Sequence, residues 1–228
     1  RVYGEFPEQE DDVFIPISFL EQSIKTEMSE ATARAFGKYL DSAGNLQPID
    51  VSGVELIEIG CDVARFGDDK TCIGYRVNEV VRIYKKYNGK DTTWTASMIA
   101  RLYKELKQRF KFQGQIGVKV DDGGVGGGVV DQLRNWKRSD PEVFGNMAIL
   151  AVNFGVPIKH PYYADSTTYM MGAVRDLIAP YDDFGRPHVP EVILPDDSDL
   201  IGQLSCRKFE FGSNAKQKVE SKQDMKDR

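Results

Sequence analysis

Two acids in this sequence stand where chemistry is commonly placed. Asp62 closes the apolar run of "VELIEIGCDVA", and Asp121 closes that of "QIGVKVDDGG", directly before a glycine cluster. A charge at the end of an apolar strand is costly to bury unless it is paired or bound to metal. Strand ends are also where ligands collect in α/β sheets. Either acid alone can equally cap the turn that follows it. Together, on separate core strands, they offer the oxygen donors that suit Mg²⁺ or Mn²⁺. Two such ions roughly 3.5–4 Å apart, bridged by a carboxylate, activate a water and stabilise the leaving oxygen of a phosphodiester. In that arrangement Asp62 is the bridging ligand and Asp121 a ligand to one ion. Asp68 and Asp69, in the turn after Asp62, and Asp122, beside Asp121, are accessory candidates for which turn and cap roles stay open.

The glycine cluster "GGVGGG" admits a second chemistry, a phosphate cradle. It is neither G-x-x-x-x-G-K-[ST] nor a clean dinucleotide fingerprint, and no Walker lysine follows it. Five glycines in six residues do let a backbone pass close to a ligand at Gly124, Gly126 and Gly127. The helix that follows would turn free N–H groups toward an anion. A DNA phosphate fits as well as a nucleotide, and simple packing of the helix on the strand remains the plainer alternative. His160 and His188 lie in proline-containing loops without a partner at metal-ligand spacing, and no G-x-S-x-G nucleophile motif occurs. Covalent catalysis is not expected.

The elements that must position these acids follow from pattern. "CIGYRV" and "VVRIYKKY", joined through Asn78, continue the strand of Asp62 into a three-strand meander. That first strand, with Leu56, Ile57, Ile59 and Cys61, reads as covered on both faces. "DTTWTASMIARLYKELKQRF" sets Trp94, Met98, Leu102 and Leu106 four apart, an amphipathic helix capped by Asp91 or Thr92. Strand "QIGVKVD", helix "VGGGVVDQLRNWKR", strand "MAILAVNFG", helix "STTYMMGAVRDLIAP" and a shorter helix at "DDSDLIGQLSC" come next. "RKFEFGSNAKQKVESK" reads as a hairpin turned at Gly212–Asn214. The fold class is therefore α/β, a mixed central sheet with helices on both faces. Residues 1–50, with short helices in "ISFLEQSIK" and "ATARAFGKYL", read as a lead-in to a domain spanning 51–228.

Composition narrows the partners. At 228 residues, 41% hydrophobic and 29% charged, the chain has material for one domain core. A formal charge of −5 argues against a domain that holds nucleic acid by bulk charge alone. It does not exclude an enzyme whose carboxylates bind cations, because bound metal inverts the local charge. Three scattered cysteines read as reduced thiols of an intracellular protein. No apolar run approaches the roughly 18 residues of a membrane helix. Since the chain opens on Arg1, a fragment of something longer is expected.

Four stretches in order carry a family resemblance: "GEFP…VFIP", "GCDVARFGDDKT", "VDDGGVGGGVVDQL" and "SCRKFEF…KVESKQDMKDR". The chain resembles the C-terminal nuclease domain of the large terminase subunit of tailed bacteriophages, the DNA-packaging motor. The resemblance implies a ribonuclease H-like fold and a divalent-metal-dependent endonuclease on double-stranded DNA with little sequence specificity. It matches Asp62 and Asp121, rather than Asp122, to the metal-binding aspartates, and Asp68 to an accessory position. It places the closing hairpin and tail (Lys216, Lys218, Lys222) near the DNA path. It implies a terminase ATPase domain elsewhere in a full chain, a portal protein and small terminase subunit as partners, and a place in the host bacterial cytoplasm at the portal vertex of the procapsid. It also implies a third metal carboxylate in a segment following Arg228. Two other classes stay open: a docking module that binds DNA or portal without cutting, and an actin-like or sugar-kinase-type ATPase, which normally needs a longer, duplicated fold.

Overall fold

The computed structural model describes residues 12–64, 69–182, 184–212, 215–221 and 224–225. The chain divides into two compact units, Glu27–Phe154 and a second made of Arg1–Thr26 with Gly155–Arg228.

The first unit is built on a five-stranded sheet. β1 (Ile57–Asp62), β2 (Thr71–Val77) and β3 (Val80–Tyr87) form the expected antiparallel meander. After helix α3 (Thr92–Arg109), β4 (Ile116–Asp121) pairs parallel with β1; after α4 (Gly126–Ser139), β5 (Met147–Val152) pairs parallel with β4. The order across the sheet is β3-β2-β1-β4-β5, so the chain leaves β1 on one side and returns on the other. The β2–β3 turn closes through Asn78, whose φ of 48° is left-handed, a conformation asparagine tolerates. Its side chain accepts from the N–H groups of Glu55 and Leu56 and donates to the Gly53 carbonyl. Neighbouring Glu79 accepts from the Ser29 N–H at 2.7 Å and the Thr32 hydroxyl at 2.8 Å. The turn is thereby tied to α2 (Glu30–Ala35), which Ser29 caps and Gly37, at φ 68°, follows.

Alternation decides where the core sits. Ile57, Ile59 and Cys61 of β1 and Ile116, Val118 and Val120 of β4 are buried in one cluster with Ile99, Leu102 and Tyr103 of α3 and Val129 and Leu133 of α4. The alternate residues Glu58, Gly60, Asp62, Lys119 and Asp121 are half-buried or exposed. β1 is therefore covered on one face, not on both as its apolar run implied, because every second residue is polar or glycine. The short helix α5 (Pro141–Phe144) was not expected. Asp140 caps it and Pro141 opens it, the residues that start a helix most readily.

In the second unit, α1 (Ile17–Lys25) packs with α6 (Ser166–Ile178) and α7 (Ser198–Ser205). Buried Ser23 of α1 donates to the Val192 carbonyl at 2.7 Å and accepts from the Leu194 N–H at 3.1 Å. β6 (Phe209–Phe211) and β7 (Gln217–Val219) pair antiparallel as the closing hairpin requires, while Ser213 and Asn214 of its expected turn lie outside the described residues; buried Thr168 of α6 accepts from the Val219 N–H. Residues 12–50 are thus divided between the units: Leu20 is buried in the second and Ala35 joins the core of the first.

Candidate active site

Asp62 and Asp121 end two neighbouring parallel strands. The last paired residues of that ladder are Cys61 and Val120, and each aspartate is the next residue of its strand. Parallel strands stand about 4.8 Å apart, and residues one position beyond a pair remain side by side. Cys61 and Val120 point into the core, so both aspartates face the opposite, more open side. The sheet changes direction at β1, and the carboxyl ends of strands at such a switch are where α/β sheets gather ligands. Two carboxylates are thus brought together by register.

Local structure holds each acid. The Gly123 N–H donates to Asp121 Oδ1 at 2.8 Å, and the Asp122 N–H continues the ladder to the Val152 carbonyl. Gly126 lies so near the Asp121 carbonyl that an added Cβ would stand 1.6 Å from its oxygen. No side chain fits there, which makes this glycine obligatory. Gly124 adopts φ 70° with nothing close to a Cβ, and Gly128 abuts Thr92 at the start of α3. On the other strand, buried Thr71 accepts from the Ala64 N–H and donates to the Ala64 carbonyl, fixing the chain just beyond Asp62. Burial, with Asp62, Cys72 and Asp121 nearby, pushes the Cys61 thiol up, so Cys61 remains a neutral core residue behind the acids.

Asp122 Oδ1 lies 3.0 Å from where a Gly127 Cβ would stand, so its carboxylate lies at the first turn of α4. Gly126 is buried in packing, whereas Gly124 is exposed. Lys216 and Lys218 belong to the β6–β7 hairpin region of the second unit, with Lys218 opposite Glu210. Asp68 and Lys222 lie outside the described residues. Among the described residues no group of three or more His, Cys, Asp or Glu side chains is placed to hold one metal ion. The donor set at Asp62 and Asp121 is two carboxylates, a chemistry that fits a hard divalent cation completing its shell with water.

What sequence reading did not find is the row in which the acids sit. Asp62 pairs with Cys72, and Cys72 with Lys86. Lys86 of the edge strand therefore lies on the same face as both aspartates, a relation that only register discloses.

No protein-family model and no curated protein matches this sequence. Solved structures match in fold. The nuclease domain of the large terminase subunit gp2 of bacterial virus Sf6 aligns with a TM-score of 0.58 at 15% identity, over 94% of this chain and 90% of that one. A mutant of that domain with manganese and beta-thujaplicinol gives 0.56 at 16% identity, over 93% and 89% of the two chains. The same mutant with calcium gives 0.57 at 15%, over 94% and 90%. The mixed five-stranded sheet with its helices is a ribonuclease H-like fold. Within that class, the chain shares the fold of the large-terminase nuclease domain, as the sequence resemblance implied.

Proposed function

We propose that this chain is the metal-dependent endonuclease domain of a viral large terminase, cutting concatemeric double-stranded DNA during genome packaging with little sequence specificity. The observation that carries the reading is the side-by-side placement of Asp62 and Asp121 at the switch point of a terminase-nuclease fold. Asp62 and Asp121 would hold Mg²⁺ or Mn²⁺, with two ions per site expected in this reading. Such ions supply a nucleophile at neutral pH and neutralise charge at the leaving oxygen. The chain's own part is placement. The ladder aligns the carboxylates, the Gly123 N–H orients Asp121, and the Thr71–Ala64 pair fixes the backbone past Asp62. Asp68 is an accessory acid in this reading. Gly124 admits the DNA backbone beside the glycine loop, and Lys216, Lys218 and Lys222 contribute to the DNA path.

The domain works beside a terminase ATPase domain, with the portal protein and small terminase subunit, at the portal vertex in the host cytoplasm. Incubation of the chain with supercoiled plasmid tests the activity. Nicking that appears with Mn²⁺ and stops with a chelator is expected. Cutting indifferent to the chelator contradicts a metal nuclease, and DNA binding without cutting favours the docking module.

A further inference from the structure

The β2–β3 ribbon of this acidic chain carries a local excess of positive charge. Between residues 70 and 90 stand six basic side chains (Lys70, Arg76, Arg82, Lys85, Lys86, Lys90) against one acid, Glu79. Glu79 is engaged by Ser29 and Thr32 at the turn. Asp69 and Asp91 flank the stretch, and Asp91 caps α3 by accepting from the Trp94 N–H. The local excess of +5 contrasts with −5 for the whole chain.

Register divides these cations. Arg76 and Arg82 lie toward the Asn78 turn, where each donates to a backbone carbonyl, of Asn78 and Val81. Lys85, Lys86 and Lys90 stand at the opposite end of the edge strand β3, the end at which Asp62 closes β1. Lys86 shares the face and the cross-strand row of Asp62. Lys85, paired with Ile73, turns to the other face, where its Nζ lies 5.9 Å from the Trp94 ring centre; Lys90 reaches the same ring at 5.7 Å. Tyr87 holds that indole edge-on at 4.5 Å. The aromatic pair gathers two ammonium groups at the sheet end through cation–π attraction. Lysines on an edge strand also discourage pairing with another chain. That role requires neither their clustering at the acid end nor Lys90, which lies past the strand beyond Gly89.

We infer that Lys85, Lys86 and Lys90 form the seat of the DNA backbone beside the Asp62–Asp121 pair. This rests on the nuclease reading and assigns its main phosphate contacts to the β2–β3 ribbon. Each lysine neutralises phosphate and releases counterions, so the seat makes binding steeply salt-dependent.

The test is duplex binding by the 228-residue chain, read by fluorescence anisotropy of a labelled oligonucleotide in chelator over a series of salt concentrations. Lys85→Gln/Lys86→Gln/Lys90→Gln is expected to weaken binding by about tenfold or more and to flatten the slope of log K against log salt by roughly 2 to 3. The corresponding arginine variant should restore both. Lys216→Gln/Lys218→Gln serves as the comparison and should change the slope less. Unchanged affinity and slope in the glutamine variant, or loss confined to the Lys216/Lys218 variant, overturns the inference. A thermal melt checks the fold, and single Lys86→Gln replaces the triple variant if that melts early. Cutting with Mn²⁺, and its loss in Asp62→Ala, is scored separately. A chain that cuts while its ribbon variant binds normally rejects the seat and keeps the nuclease.

Discussion

Asp62 and Asp121 lie one residue beyond the Cys61–Val120 pair of a parallel ladder, on the face their two neighbours leave to the core. That relation turns two strand-end acids, each of which could have capped its own turn, into a single site. It also orders the surroundings: Cys61 behind, the glycine loop against Asp121, and Lys86 two strands away in the same row.

The glycine loop makes a sharp expectation. Gly126→Ala forces a Cβ into the Asp121 carbonyl, so the strand end or the helix start must move. A loss of about 2 to 3 kcal/mol in denaturant unfolding is expected, with metal-dependent cutting impaired through the displaced Asp121. Gly124→Ala meets no neighbour but must hold φ 70°, which costs about 1 to 2 kcal/mol.

Glu79 ties stability to pH. Burial pushes its pKa upward, but hydrogen bonds from its own N–H, the Ser29 N–H and the Thr32 hydroxyl outweigh this and hold it below the ordinary glutamate value. A carboxyl with a lowered folded pKa stabilises above its unfolded pKa, and the contribution fades as pH falls through the folded value. Glu79→Gln should therefore cost about 1 kcal/mol at neutral pH after allowing for solvent screening. The difference between variant and wild type should vanish in acid. A constant difference across the titration contradicts this role.

The thiols report the same burial. With its pKa raised by burial, Cys61 stays protonated and inaccessible in the folded state. Its preference for the neutral form stabilises the fold below the unfolded thiol pKa and is lost as pH rises above it. Iodoacetamide at mildly alkaline pH should label half-buried Cys72 and Cys206 first, and Cys61 only after denaturant is added. Early labelling of Cys61 would show that β1 opens locally.

Much of this was legible in the residues, and the limits have physical causes. The strand-end acids, the meander through Asn78, the α3 stripe and the closing hairpin all follow from local pattern, which is what single stretches encode. The face assignment of β1 failed because a short run with Glu58, Gly60 and Asp62 interleaved looks much like a doubly buried strand. α5 was missed although Asp140-Pro141 announces it. The pairing of Asp62 with Asp121, the Lys86 row and the Ser23 contacts to Val192 and Leu194 depend on register and on residues distant in sequence. No window of the sequence contains both partners.

The most direct measurement of the central claim is the rate of supercoiled-plasmid nicking in Mn²⁺ for the wild type, Asp62→Asn, Asp121→Asn and Asp122→Asn. The account expects each of the first two substitutions to lower the rate by roughly a hundredfold or more, and Asp122→Asn to lower it far less. Nicking that persists in Asp62→Asn and Asp121→Asn, or that falls most in Asp122→Asn, would contradict it.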